Sequence, residues 1–243
     1  MERRTFSIIT PTFNCGRKLQ RTIESVISQR RDLFEFIVVD GGSSEDTLNI
    51  IEKYSRELIV SSEPDRGLYD AFNKGIEKAS GRYLYFLGAG DRLRAGVLEE
   101  VDRLVPTDDR TFLYGSAYLM RLGVVRTGHE IGKTHLKHWN IYHQAIFYGR
   151  EIFETVGKYS LDYEVYSDWE MNMKCFGEPR IPKKFMPLVV ADYEGGGVSE
   201  IKTDARFKKD RPRLVRKHFG WREYITLWTD PLRARLSTQR LKM

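Results

Sequence analysis

The chain has 243 residues, 40 of them Lys or Arg and 34 Asp or Glu, for a net charge of +6. With 41% hydrophobic and 30% charged residues it has the make-up of a soluble globular protein, and no apolar run approaches the roughly 20 residues that span a bilayer. Two cysteines, Cys15 and Cys175, exclude a disulfide framework or a cysteine metal cluster. No signal peptide is recognisable, so a cytoplasmic location is expected.

In chain order, Phe6 to Thr10 reads as a strand closed by Pro11 and a loop of turn formers, Thr12 to Gly16. Leu19, Ile23, Val26 and Ile27 then keep helical spacing to about Gln29. Phe34 to Val39 is apolar without alternation, as in a strand buried on both faces, and ends at Asp40-Gly-Gly-Ser-Ser44. Ser44 is placed to cap a helix whose face is Leu48, Ile51 and Tyr54. Leu58 to Val60 is a third strand, and Ala71, Gly75, Ile76 and Ala79 mark the inner face of another helix. Tyr83 to Leu87 is a fourth strand. It stops at Gly88-Ala-Gly-Asp91, before a helix expected over Leu93 to Leu104. Strand and helix thus alternate four times over residues 1–105, which predicts a parallel sheet with helices on its faces. The strand-end loops emerge at one edge, so the carboxylates of Asp40, Asp65 and Asp91 are expected to converge there.

The second half, 106–205, is less regular. Phe112 to Met120 and Gly123 to Thr127 read as an antiparallel pair, Gln144 to Tyr148 and Leu188 to Tyr193 as strands, and Arg150 to Val156 and Asp168 to Phe176 as helices. Gly195 to Gly197 is either a lid or a sharp reversal. From 206 onward the chain turns basic: residues 201–243 carry a net charge of +9, which leaves −3 for the rest. Leu214, His218, Trp221, Ile225, Trp228 and Leu232 fall on one side of a helix that Pro231 breaks. Residues 206–243 are therefore read as a basic amphipathic extension. It suits the anionic inner face of the cell membrane, its own domain or a second subunit better than nucleic acid, for which no motif is present.

Carboxylates gathered at a sheet edge repel one another unless a cation or hydrogen-bonding ligand joins them. A nucleotide diphosphate with a hard divalent metal, Mn2+ or Mg2+, answers that need, because such a metal takes one or two carboxylates and fills its shell with phosphate oxygens and water. Taken singly, each Asp also reads as a cap or a solvated loop charge. A dinucleotide-binding Gly-x-Gly-x-x-Gly is missing from the first loop, which is Pro-Thr-Phe-Asn-Cys-Gly; a P-loop and a nucleophile elbow are missing too.

Ile8-Ile-Thr-Pro-Thr-Phe-Asn14, Val38-Val-Asp-Gly-Gly-Ser-Ser-Glu-Asp-Thr47, Glu63 to Ile76 and Gly81 to Asp91, in that order, resemble the family 2 glycosyltransferases. His143 to Tyr148 and Tyr166-Ser-Asp-Trp-Glu170 resemble the acceptor-side motifs of the same family, which carries the likeness to about residue 199. The resemblance implies a GT-A fold, mostly parallel with helices on both faces, and an inverting transfer of a sugar from a nucleotide diphosphate, UDP by preference, to a hydroxyl of a glycan or lipid-linked acceptor. It makes Asp168 the catalytic base and puts Thr10, Pro11, Asp40, Asp65 and Arg66 around the nucleotide sugar. It gives the metal to Asp91 and sets His143, Gln144 and Trp169 on the acceptor side. One departure matters: where the family carries two or three carboxylates, Gly88-Ala-Gly-Asp keeps only Asp91. Metal binding then leans on the diphosphate or on another residue such as His143. From the residues themselves, His143 equally reads as a packed histidine and Trp169 as core. A silent nucleotide-sugar-binding protein is the rival reading.

Overall fold

A computed structural model describes residues 3–196 and 202–229. One nine-stranded sheet runs through them. In order across it lie β3 (Ile59–Ser62), β2 (Phe34–Asp40), β1 (Phe6–Thr12), β4 (Tyr83–Phe86), β8 (Ile146–Gly149), β6 (Phe112–Leu119), β9 (Lys183–Tyr193) and β5 (Arg92–Leu93), with β7 (Val124–Arg126) paired to β6. The first four are parallel, joined by α1 (Gly16–Ile27), α2 (Glu45–Lys53) and α3 (Leu68–Lys78). Past β4 the direction breaks: β8 runs antiparallel to both β4 and β6, while β6 and β9 are parallel. The sheet as a whole is mixed, and its parallel character belongs to the first half.

The apolar runs of β1 and β2 are buried on both faces, and their alternation shows which side each residue serves. Ile9, Ile37 and Val39 join Tyr69, Phe72 and Ile76 of α3 and Met171, Met173 and Cys175 of α7 (Ser167–Gly177) on one side. Ile8, Phe36 and Val38 join Leu19, Ile23 and Val26 of α1 on the other. Two helix starts differ from their patterns. Residues 92–93 pair with β9 as β5, so α4 is confined to Val97–Asp102. Ser44 occupies the start of α2 but its side chain caps nothing; Thr47 Oγ1 instead accepts the N–H groups of Cys15 and Gly16 at 3.0 Å each and ties α2 to the first loop. Two further short helices, α5 (Lys133–Leu136) and α6 (Glu151–Val156), complete the elements before the tail.

The tail differs from the single stripe expected of it. It folds as two helices, α8 (Ala205–Phe219) and α9 (Trp221–Thr226), because Gly220 between them has φ +88°. Asp204 caps α8 through Phe207 N–H at 2.8 Å. Phe207, Leu214, Val215 and Phe219 are buried in the core beside α7, so α8 is an integral layer of the domain. The Lys137 ammonium, with 1% of its side chain exposed, is clamped by Glu223 at 2.9 Å and Thr226 Oγ1 at 2.7 Å, which fastens α9. Among the described residues of the stripe, Trp221, Ile225 and Trp228 face outward, at 63%, 64% and 52% exposure. Pro231 and Leu232, like Gly197, lie outside the described residues. Among the described residues no helix is long and apolar enough to cross a membrane.

Candidate active site

The parallel strands end in loops that brace one another. Gly41 N–H donates to Thr12 O at 2.9 Å and Glu63 N–H to Asp40 O at 3.0 Å. Asn14 exchanges bonds with Ser43 Oγ and Ser44 N–H. The three carboxylates expected to converge here are separately engaged. Asp40 is fully buried and accepts from Gly42 N–H, Ser43 N–H and Ser62 Oγ. Burial pushes its carboxyl upward, yet the bonds from Ser43, Ser62 and Gly42 outweigh that and hold it below the usual range. Asp65 accepts Gly67 N–H at 2.9 Å and lies against Gly41, where a Cβ would stand 2.4 Å from its Oδ2. Asp91 is on the far side of β1. Thr10 and Pro11 are buried in β1, and Thr10 Oγ1 has no hydrogen-bond partner. Arg66 points outward, 76% exposed, and pairs with Asp70 at 3.3 Å. Phe13, which motif reading passed over, stands 62% exposed at the mouth of these loops.

Asp91 and Asp168 meet through one short turn. His143–Ala145 is a 3-10 turn before β8, pinned by Tyr85 Oη donating to Gln144 O at 2.7 Å. Gln144 Nε2 donates to Asp91 Oδ2 at 2.6 Å, while the neighbouring His143 puts Nδ1 3.6 Å from Asp168 Oδ2 and its ring edge-on to Phe72. Asp168 opens α7. Its Oδ1 accepts from Tyr69 Oη at 3.0 Å and from Trp169 N–H at 2.8 Å, and its Oδ2 from Asn140 Nδ2 at 2.9 Å. Asn140 is held in turn by Asn172, and Asn172 by Tyr148 Oη of β8. Burial, then the Asp168 charge, keeps the Tyr69 hydroxyl well above its usual pKa and so a donor. A carboxylate has about four lone-pair sites; these donors fill at most three of them, since Val165 O competes for the single Tyr69 proton, and leave at least one on a side chain that is 9% exposed.

Trp169 does not line this site. Its indole N–H donates to Leu136 O at 2.7 Å and its ring packs on Phe207 and under the Arg211 guanidinium, so it anchors α8. Asp91 is 6% exposed, and burial pushes its carboxyl above the usual range against the bonds from Gln144 and from Glu194 N–H at 3.0 Å. Among the described residues no group of three or more His, Cys, Asp or Glu is arranged to hold a metal. A hard cation needs fewer, given phosphate oxygens, and two buried oxygens beside Asp91 lack hydrogen-bond partners, Glu194 Oε2 and Gln144 Oε1. The surroundings of Asp91 therefore suit an oxygen-seeking ion.

Braced loops over parallel strand ends, with a held carboxylate at the start of a helix, fit a sugar transferase with a GT-A fold. Residues 7–164 match the model of glycosyl transferase family 2, and the chain belongs to that family. A PGL/p-HBAD biosynthesis glycosyltransferase of Mycobacterium tuberculosis is 38% identical over 219 residues, 87% of this chain and 85% of that protein. A putative teichuronic acid biosynthesis glycosyltransferase of Bacillus subtilis, TuaG, is 35% identical over 98 residues, 39% of each chain. Among solved structures, S. aureus TarS 1–349 in complex with UDP-GlcNAc matches with a TM-score of 0.73 at 17% identity, over 88% of this chain and 66% of that one. The mannosyltransferase PcManGT of Pyrobaculum calidifontis, in complex with GDP-Man and Mn2+, matches at 0.62 and 16% identity, over 99% and 81%. The fold is GT-A, and the protein is a glycosyltransferase.

Proposed function

We propose that this glycosyltransferase inverts the anomeric centre of a UDP-sugar as it transfers the sugar to a hydroxyl of a glycan or lipid-linked acceptor, with Asp168 as general base. The observation that carries the proposal is the turn at 143–145, which binds Asp91 through one residue and faces Asp168 with the residue before it. The leaving-group side and the acceptor side are thereby set at a fixed spacing. The acceptor oxygen bonds to the anomeric carbon and the carbon–oxygen bond to the diphosphate breaks, its electron pair staying on the diphosphate. The hydroxyl proton passes to the open lone pair of Asp168. Tyr69, Asn140 and the Trp169 N–H keep that carboxylate aimed. A bound Mn2+ or Mg2+, held by Asp91, would neutralise charge on the departing diphosphate. Phe13 offers its exposed ring to the base, and Arg66 is free enough of structure to swing to the phosphates. Thr10, Pro11, Asp40 and Asp65 act from beneath, by fixing the loops that shape the crevice. The test is UDP release from a panel of UDP-sugars with lipid-linked and soluble glycan acceptors. Turnover that depends on acceptor supports transfer; tight nucleotide-sugar binding without turnover would make the chain a silent binder.

The same reading places the acceptor at a membrane. Trp221, Ile225 and Trp228 project beside Arg213, Arg216, Lys217 and Arg222, all exposed. Tryptophan favours the headgroup boundary, and each nearby cation adds about 1 kcal/mol on an anionic surface. Because α8 is core, the clean variant is Trp221→Ser with Trp228→Ser. It should lose salt-sensitive co-sedimentation with anionic vesicles while staying folded. Wild-type protein that ignores such vesicles at low salt would remove the membrane from the account.

A further inference from the structure

Where the loop after β4 has lost carboxylates, the fold brings one back from elsewhere. Glu194 follows directly on β9, 103 residues beyond Asp91 in sequence, and its N–H donates to Asp91 Oδ1 at 3.0 Å. Its carboxylate folds over Gly90. A Cβ on residue 90 would stand 2.8 Å from Glu194 Oε2, so the missing side chain is what admits this carboxylate. Gly90 also has φ +111°, which other residues rarely adopt. Oε1 faces Arg21 at 3.5 Å; Oε2 is buried and has no hydrogen-bond partner. On the other side of Asp91, Gln144 is 2% exposed, and the amide that grips Asp91 carries a buried Oε1 that is equally unpartnered.

Unsatisfied buried oxygens are costly, and a native structure keeps them where something else satisfies them. The pairing with Arg21 does not account for Glu194. That contact is solvent-exposed, with 53% of the Arg21 side chain open, and pairs of this kind contribute little. Nor does it use Oε2. Gln144 and Glu194 both bond to Asp91, and the atoms they leave unpartnered beside it are oxygens, the donors that hard divalent cations select. The diphosphate of a nucleotide and water would fill the rest of the shell.

We infer that Glu194 is the second carboxylate of the divalent-cation site, taking the place of the acidic side chains that Gly88 and Gly90 lack. The inference rests on the proposed role of Asp91. It assigns to the end of β9 a ligand that family pattern places in the loop of residues 88–91. Binding of metal with nucleotide then tethers β5 and β9 to the end of β4.

Mn2+ binding to the full chain, read from the electron paramagnetic resonance of the free aqua ion with and without UDP, tests it independently of turnover. Even outer-shell partners of a metal are worth about 10- to 100-fold in affinity, so Glu194→Gln should weaken Mn2+ binding in the presence of UDP by about tenfold or more. Arg21→Gln should leave that affinity within about twofold, and both variants should melt close to wild type. Unchanged Mn2+ affinity in Glu194→Gln, or equal losses in both variants, overturns the assignment. Wild-type protein that binds no Mn2+ with UDP yet transfers sugar overturns this inference and leaves the transferase reading standing. Glu194-dependent Mn2+ binding without acceptor-dependent turnover does the reverse.

Discussion

The two halves of the molecule build their parts of the site in opposite ways. In the loops after β1, β2 and β3, each loop is shaped by bonds to the next, and the carboxylates are used up there: Asp40 closes residues 42–43 and Asp65 closes Gly67. In the mixed half, Asp168 is held by Tyr69 from α3 and by Asn140, which is itself held from α7 and β8. The first half is braced locally, loop against loop. The second gathers residues distant in sequence around Asp168, the proposed base.

The sharpest break in that comparison is at Asp168. Asp168→Asn keeps the shape of the side chain and cannot take the proton. It should lower the transfer rate by about 100- to 10,000-fold in steady-state assays, with UDP affinity unchanged. Next is the latch that joins the tail to the mixed half. Glu223→Ala removes one carboxylate from the buried Lys137 ammonium and should cost about 1–3 kcal/mol in denaturant unfolding. In the parallel half, Phe13→Ala should weaken UDP binding by roughly tenfold in calorimetry, since base–aromatic stacking is worth about 1–3 kcal/mol, with little change in the rate at saturating donor. The smallest contrast lies within one loop. Thr47→Ala should cost about 1 kcal/mol because its hydroxyl serves two N–H groups, whereas Ser44→Ala should fall within about 0.5 kcal/mol because its side chain caps nothing.

The same difference explains what the sequence disclosed. Apolar runs bounded by Asp-Gly-Gly and Gly-Ala-Gly-Asp announced β2 and β4, because a strand buried on both faces writes itself as consecutive hydrophobics. The turn residues that brace those strands lie next to them in sequence. The reversal of β8 left no such mark, since parallel and antiparallel buried strands read alike. Asp168 was found only through the likeness of its motif. Its partners Tyr69 and Asn140, 99 and 28 residues away, carry no local signal. The sequence leaves Trp169 open between acceptor side and core, and Leu214 between the membrane and its own domain, because periodicity shows an apolar face without saying what covers it; α7 and α8 cover each other. Gly220 was the overlooked sign that the tail's stripe would split. Glu194 was unreadable in advance, because its meaning depends on the absence of a side chain at residue 90.

The central claim is that one half binds the donor and the other takes the acceptor's proton. Measuring UDP affinity by calorimetry and transfer rate under saturating donor on Phe13→Ala and Asp168→Asn tests it most directly. The account predicts a crossed result: Phe13→Ala loses affinity and keeps rate, and Asp168→Asn keeps affinity and loses rate. Asp168→Asn that transfers at the wild-type rate, or that loses UDP affinity as far as Phe13→Ala does, would contradict it.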